Sequence, residues 1–273
     1  MEVLYGLHPV EEALRAGGRR LEYVLVSRER SATRGKPGDG GDSRTARIME
    51  LCRAANVRVS MESKDQLTRI ARTDAHQGVV AAVRERKFLT IEDLIAAKPN
   101  YSHKFFLALD GVEDPHNLGA LLRSADGAGV DGVMLPERRT APISAVVAKT
   151  SAGASEHVPI ARVTNLTRAL EQLKKANTWI IGLDERGTPD YTDFDFSTDC
   201  CLVLGAEGSG LHDLVKKTCD HLLRIPMAGS VSSLNVSVAG AVVMYEALRQ
   251  RTKPNKPAPI AAKPLKPRKG LGS

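Results

Sequence analysis

Cys200-Cys201-Leu202-Val203-Leu204-Gly205-Ala206-Glu207-Gly208-Ser209-Gly210 sets an apolar run directly against a glycine-rich turn that carries a single carboxylate. The run reads as a buried strand over 201–204, with its two cysteines packing as small hydrophobes. A strand that hands over to such a turn is where open α/β sheets place their ligands. Two further segments have the same character. Asn117-Leu118-Gly119-Ala120-Leu121-Leu122-Arg123 follows the apolar run Phe105–Asp110, and Ile225-Pro226-Met227 runs on to Ser232-Ser233-Leu234-Asn235-Val236-Ser237. No GxGxxG follows the first strand of this unit, and Gly-Lys-Ser/Thr is missing. A dinucleotide fingerprint and a phosphate-binding P-loop are thereby excluded.

Outward from these segments, short apolar strands alternate with helices. Strands are predicted at 105–110, 132–135, 158–161, 178–183, 201–204 and 221–225, and helices at 117–128, 142–151, 165–176, 210–217 and 234–250. This alternation predicts a parallel sheet covered on both faces over residues 104–250. Residues 1–86 predict a smaller α/β module. In it, Gly6-Leu7-His8-Pro9-Val10 opens a short helix that stops at Gly17-Gly18, and Leu21–Val26 and Val79–Val83 are strands. Residues 28–43 are rich in Gly, Arg and Ser and predict a mobile loop, with a helix over 44–55 after it. Residues 87–103 form a connector with a short helix at 91–97. Beyond Arg251 prolines recur every few residues without a core, which predicts a disordered basic Lys/Pro tail over 251–273.

The net charge of +7 is unevenly spread. Residues 1–86 hold 16 Lys/Arg, 14 of them arginine, against 12 acids; residues 87–250 hold 16 against 20; and the tail holds seven with no acid. The basic surface belongs to the two ends. An Arg-rich end module suits phosphate recognition, and equally suits a merely solvated surface. The four cysteines, Cys52, Cys200, Cys201 and Cys219, have no zinc spacing, so no metal is expected. No signal peptide or membrane-length run is visible, and a cytoplasmic protein is expected.

Each segment admits a structural and a functional reading. Asn117 can cap a helix, while Gly119 and Arg123, four apart on one face, can offer free backbone amides and a guanidinium to a phosphate or alkoxide. Glu207 draws attention because a Glu is rarely buried without a partner. Ser233 or Asn235 can cap the last helix, and the small residues Ser237, Ala239, Gly240 and Ala241 imply that another backbone packs tightly against it.

In order and spacing, the three segments resemble the motifs of the SpoU/TrmH family of RNA ribose 2′-O-methyltransferases. Tyr5-Gly6-Leu7-His8-Pro9-Val10 and His76-Gln77-Gly78-Val79 are similar to the N-terminal domain of members that methylate a guanosine ribose in large-subunit ribosomal RNA. The resemblance implies a Rossmann-like parallel-sheet methyltransferase domain with a C-terminal trefoil knot, preceded by a small α/β RNA-binding domain, in a homodimer. It implies S-adenosylmethionine as methyl donor, with Gly205, Ile225, Leu234, Leu183 and Met227 at cofactor positions. Arg123 matches the catalytic arginine, and Asn117, Glu207 and Asn235 match its polar neighbours. Two alternatives stand beside ribosomal RNA as substrate: a tRNA ribose methyltransferase, and a non-catalytic RNA-binding protein on the same fold.

Overall fold

The computed structural model describes residues 1–29 and 40–252. Ten strands and nine α-helices follow one another among them: β1 Glu2–Tyr5, α1 Leu7–Ala16, β2 Leu21–Ser27, α2 Gly40–Ala54, β3 Arg58–Glu62, α3 Lys64–Ala71, β4 Val79–Val83, α4 Ile91–Ala96, β5 Phe105–Asp110, α5 Pro115–Gly127, β6 Gly132–Pro136, α6 Ala145–Thr150, β7 Ile160–Val163, α7 Leu166–Lys175, β8 Trp179–Leu183, β9 Cys200–Gly205, α8 Asp213–Thr218, β10 His221–Leu223 and α9 Val236–Arg251. They build two sheets. The first, ordered β1-β4-β2-β3, is mixed, with only β2 and β3 parallel. The second, ordered β10-β8-β9-β5-β6-β7, is parallel throughout, as the alternation predicts.

β5 shows why the second sheet is covered on both faces. All six of its residues are buried. Phe105, Leu107 and Leu109 face a core shared with α5, α6 and α9, while Phe106 and Ala108 face one shared with α4, α7 and α8. Strand side chains alternate with period two, so an uninterrupted apolar run needs two cores. The stretch expected as a connector is held to this sheet. Leu89 N donates to Ile160 O at 2.9 Å, and Ile91 and Leu94 of α4 enter the second core.

The chain differs from the sequence-based expectation in several local places. β1 lies outside that expectation; four residues are too short for a convincing alternation, and β1 is fixed by antiparallel pairing with β4. α2 begins at Gly40 rather than 44. The remainder of the expected loop (30–39) and the tail from 253 lie outside the described residues. α5 begins at Pro115, and its cap is Asp114, which accepts from His116 N and Asn117 N at 3.1 Å each. Proline at the first helical position needs no donor and suits this start. Asn117 is therefore freed from capping.

Gly119 also departs from expectation. A Cβ there would sit 2.6 Å from Thr150 Cβ, so the missing side chain admits α6 rather than a ligand. At Gly240 the close neighbours are side chains. An added methyl would lie 2.6 Å from both Leu121 Cδ2 and Leu204 Cδ1, and no backbone presses on it.

The first module docks on the second through α1 and the turn 154–156. Buried Glu156 receives Arg86 at 2.6 Å and Arg19 at 3.4 Å. His157 meets Glu12 at 2.9 Å, Lys149 Nζ donates to Ala75 O at 2.6 Å, and Ala148 joins the apolar core of the first module.

Candidate active site

Asp110 ends β5 and Gly205 ends β9, and the two residues lie in register. After β5 the chain turns to β6 on one side, and after β9 it crosses β8 to add β10 on the other. Such a reversal leaves a crevice beyond the strand ends, the expected ligand position of an open parallel sheet.

A cleft of about 520 Å³ opens there, within the range of small-molecule and cofactor sites. Leu183, Leu204, Gly205, Ile225, Met227 and Leu234 supply much of its apolar wall, and Asp184, Lys216 and Arg186 a charged end. Thus Gly205, Ile225, Leu234, Leu183 and Met227, scattered over some fifty residues, line one cavity. Gly205 is required here, because a Cβ would lie 2.1 Å from the carbonyl carbon of Gly210. The turn folds back over its own strand, with Ala206 and Gly210 exchanging backbone hydrogen bonds at 3.0 and 2.9 Å. At the charged end, burial by itself raises the Asp184 carboxyl. The Lys216 ammonium at 2.6 Å and the Arg186 amide outweigh it and hold Asp184 below the usual carboxylate range.

Beside this cleft lies a smaller cavity of about 330 Å³ lined by residues 111–114, Asn117, Ala206, Glu207 and Val236. Glu207 belongs to both cavities. It is exposed, not buried as a lone carboxylate in a strand-end turn suggests, and it has partners. Asn117 Nδ2 donates to Glu207 Oε2 at 3.2 Å, and Asn235 Nδ2 donates to Asn117 Oδ1 at 3.1 Å and to Glu207 Oε1 at 3.4 Å. Asn235 caps α9 at the same time. Its Oδ1 accepts from Ser237 N at 2.9 Å and Ser237 Oγ at 2.6 Å. The capping bond decides the amide orientation, leaving the NH₂ group for Asn117 and Glu207.

The fourth motif residue stands apart. Arg123 is exposed on α5 and makes no hydrogen bond or ion pair among the described residues. It lies close enough to His8 of the first module to lower that imidazole's pKa, behind the larger effects of burial and Arg44. The structure thus unites Asn117, Glu207 and Asn235 and places Arg123 toward the first module. Sequence reasoning does not single out Asp110, whose buried carboxylate accepts from His212 N at 2.8 Å and His212 Nδ1 at 3.0 Å. Its position at the end of a wholly apolar strand is the available signal.

The cysteines are chemically quiet. Burial pushes Cys200 and Cys219 up to about 12 and Cys201 well above its ordinary value. Among the described residues no group of three or more His, Cys, Asp or Glu side chains could hold a metal, and no helix is long and apolar enough to cross a membrane.

A parallel sheet with a cofactor-sized cleft at its switch point, bordered by a carboxylate–amide network, has the layout of an α/β enzyme domain, and an arginine-rich module precedes it. The chain belongs to the SpoU rRNA methylase family, whose profile matches residues 104–245, and residues 3–89 match the substrate-binding domain of RNA 2′-O ribose methyltransferases. It is 41% identical over 252 residues to the 23S rRNA (guanosine-2′-O-)-methyltransferase RlmB of Pectobacterium atrosepticum, covering 92% of this chain and 98% of that one. Among solved structures it resembles the AdoMet-bound rRNA methyltransferase of Sinorhizobium meliloti (26% identical, TM-score 0.73, 93% and 88% of the two chains). It also resembles the SpoU methyltransferase AviRb of Streptomyces viridochromogenes in complex with AdoMet (26%, 0.72, 91% and 90%).

Proposed function

We propose that this protein transfers a methyl group from S-adenosylmethionine to the ribose 2′-oxygen of a guanosine in 23S ribosomal RNA. The observation that carries the reading is the Asn117–Glu207–Asn235 network standing between two adjoining cavities. The larger cavity fits the cofactor in volume and in its mixed apolar and charged lining, and Gly205 lets the turn that walls it fold back over β9. Gly205, Ile225, Leu234, Leu183 and Met227 would hold it. S-adenosylmethionine, when bound, supplies an electrophilic sulfonium methyl.

The smaller cavity is assigned to the acceptor ribose. Positioning supplies much of the rate in such a transfer. Here Asn235, fixed by its cap, orients Asn117 and Glu207, and the Glu207 carboxylate is placed to take up the hydroxyl proton as the oxygen attacks. Arg123 is assigned to the phosphate next to that ribose and to the developing negative charge. A guanidinium with a pKa above ~12 does not serve as a base.

Residues 1–86 are assigned to RNA binding, 87–103 to the connection and 104–250 to catalysis. Supporting this, buried Glu11 gathers Arg15 at 2.6 Å, Arg44 at 3.0 Å and Arg47 at 3.5 Å, so three partly exposed guanidiniums share one carboxylate. Arg44 also contacts His8 Nε2, and Arg123 lies close enough to act on the same imidazole. A homodimer belongs to the same proposal, supported by exposed Val231, Leu234, Val238 and Tyr245 on and before α9. So does the trefoil knot. Its support is the path from β9 past β8 to β10 and back, through 224–235, to α9 packed on α5. An RNA substrate of this kind places the protein in the cytoplasm.

The test is transfer of labelled methyl from S-adenosylmethionine to separated 23S rRNA and tRNA transcripts, followed by mapping of 2′-O-methylation. Label on a guanosine ribose of the 23S transcript is expected. Label on tRNA alone would make the protein a tRNA ribose methyltransferase. Failure to bind S-adenosylmethionine in calorimetry would make it a non-catalytic RNA-binding protein.

A further inference from the structure

The smaller cavity is electrostatically wrong for the strand it is assigned to. Its lining contains three carboxylates, Glu113, Asp114 and Glu207, and no Lys or Arg. An RNA segment that presents a ribose there carries a phosphodiester on each side, and these walls repel it. Arg123 is assigned to one of these two phosphodiesters, and a second cation at the rim is needed for the other.

The loop after β6 holds one. Asp110 accepts from His212 Nδ1 at 3.0 Å, so the imidazole proton is on Nδ1 and Nε2 is an acceptor. Arg139 Nη1 donates to that Nε2 at 3.1 Å. This chain of contacts lies against the cavity. Ala141 N donates to Val112 O at 3.0 Å, fastening the loop to the cavity wall, and a Cβ on the wall residue Gly111 would be 3.5 Å from His212 Cε1. Arg139 is exposed, and His212 is its only partner among the described residues.

The kind of partner matters. A carboxylate holding Arg139 directly would cancel its charge. Asp110 instead meets a backbone N–H and the imidazole N–H, and a neutral nitrogen holds the guanidinium. Arg139 is oriented yet keeps its full charge and its remaining N–H donors for a ligand. Planar forks of this type match phosphate oxygens.

We propose that Arg139 binds an RNA phosphate at the rim of the acceptor cavity, with His212 and Asp110 as positioning residues. This rests on the assignment of that cavity to the acceptor ribose. The experiment uses the full chain and a 23S rRNA fragment transcript. It compares RNA affinity across salt, methyl-transfer KM and kcat, and calorimetric S-adenosylmethionine affinity. Arg139→Asn suits the test because Arg139 has φ 56°, a left-handed conformation that Asn tolerates.

Arg139→Asn is expected to weaken RNA binding about tenfold and raise KM. The log–log salt dependence should become shallower by roughly 0.7, one lost single-strand phosphate contact. Cofactor affinity and kcat at saturating RNA should hold. Arg139→Lys should restore the salt dependence while recovering only part of the affinity, and His212→Phe should raise KM with the salt dependence kept. Unchanged RNA affinity and salt dependence in Arg139→Asn would overturn the proposal. So would a joint loss of kcat and cofactor binding, the mark of a purely structural strap. A wild-type protein inactive on this transcript would count against the assigned substrate, and the affinity comparison would still decide the Arg139 contact.

Discussion

Asn235 shows how one residue serves two ends: its oxygen caps α9 while its nitrogen joins Asn117 and Glu207. A helix cap and a place beside Asn117 and Glu207 compete as readings of the sequence, and the structure shows both at once because the amide has two different ends. Glu207→Gln should therefore be damaging despite its similar shape. It places an NH₂ donor against the donor of either Asn117 or Asn235 and removes the carboxylate that takes up the proton, and methyl transfer should fall at least about tenfold with RNA affinity kept; near-normal turnover would remove Glu207 from the proton's path. Arg123→Ala should lower transfer by at least ~10²-fold with cofactor affinity unchanged, the loss of one preorganised charge donor. Arg123→Lys should also be poor, since a point charge does not reproduce the planar fork. A lysine variant with most of its activity would show that charge alone suffices. The motif segments are legible because each begins just past a strand end and keeps a recognisable spacing, Arg123 standing further along α5. Asp110, His212 and Arg139 are not, since they come together only through sheet register, with Asp110 and His212 more than a hundred residues apart.

At the scale of elements, the long apolar strands and amphipathic helices of residues 104–250 are readable almost to their ends, because a two-sided core demands continuous apolar strands. Caps and short strands are not. β1 exists by pairing, and the start of α5 depends on Asp114 rather than Asn117. The turn after β9 gives a direct test. Gly205→Ala puts a methyl into the Gly210–Leu211 backbone, and overpacking typically costs about 1–3 kcal/mol or more. Thermal unfolding should move down, and calorimetry should show weakened S-adenosylmethionine binding; a stable variant with normal affinity would mean the turn relaxes freely. The turn between α3 and β4 gives a second. Buried His76 accepts from Gly78 N on Nδ1 at 3.0 Å and lies 3.1 Å from Thr68 Oγ1, so it is held neutral. Burial lowers its pKa first, Lys64 and Lys149 add to that, and Asp74 opposes it. With the folded pKa below the unfolded value near 6.5, the unfolded chain binds the proton first. The stability His76 contributes is full above that value and is lost as pH falls through the folded pKa. Denaturant midpoints measured from about pH 7.5 to about pH 5 should decline over this window, and His76→Gln should flatten the decline.

For the whole molecule, the question is which end selects RNA. The first module is Arg-rich and the second, over 87–250, is net negative, which is legible from composition; how the two sit together is not, because Glu156 finds Arg19 and Arg86 only across the fold. Burial lowers the Arg86 pKa first, with Glu156 opposing, so the pair is a costly but directed fastening. Breaking a buried ion pair by removing one partner costs about 3–5 kcal/mol, so Glu156→Ala should loosen the docking and blunt RNA turnover before it affects cofactor binding. Deleting residues 1–86 is the sharper test. The second sheet keeps both of its own cores, so the truncated chain should fold and bind S-adenosylmethionine. It should lose RNA affinity and turnover, because it lacks Arg15, Arg44 and Arg47 around Glu11. Deleting 252–273 should cost less. Its Lys253, Lys256, Lys263, Lys266, Arg268 and Lys269 add positive charge, and non-specific charge contacts fade as salt screens them. Folded arginines make directed bonds to phosphates that persist further up the salt scale. RNA affinity of both truncations at two salt concentrations separates these cases. If the tail deletion abolished binding at every salt while the module deletion was tolerated, RNA selection would belong to the C-terminal end, and the arginines on Glu11 would be left with a purely structural role.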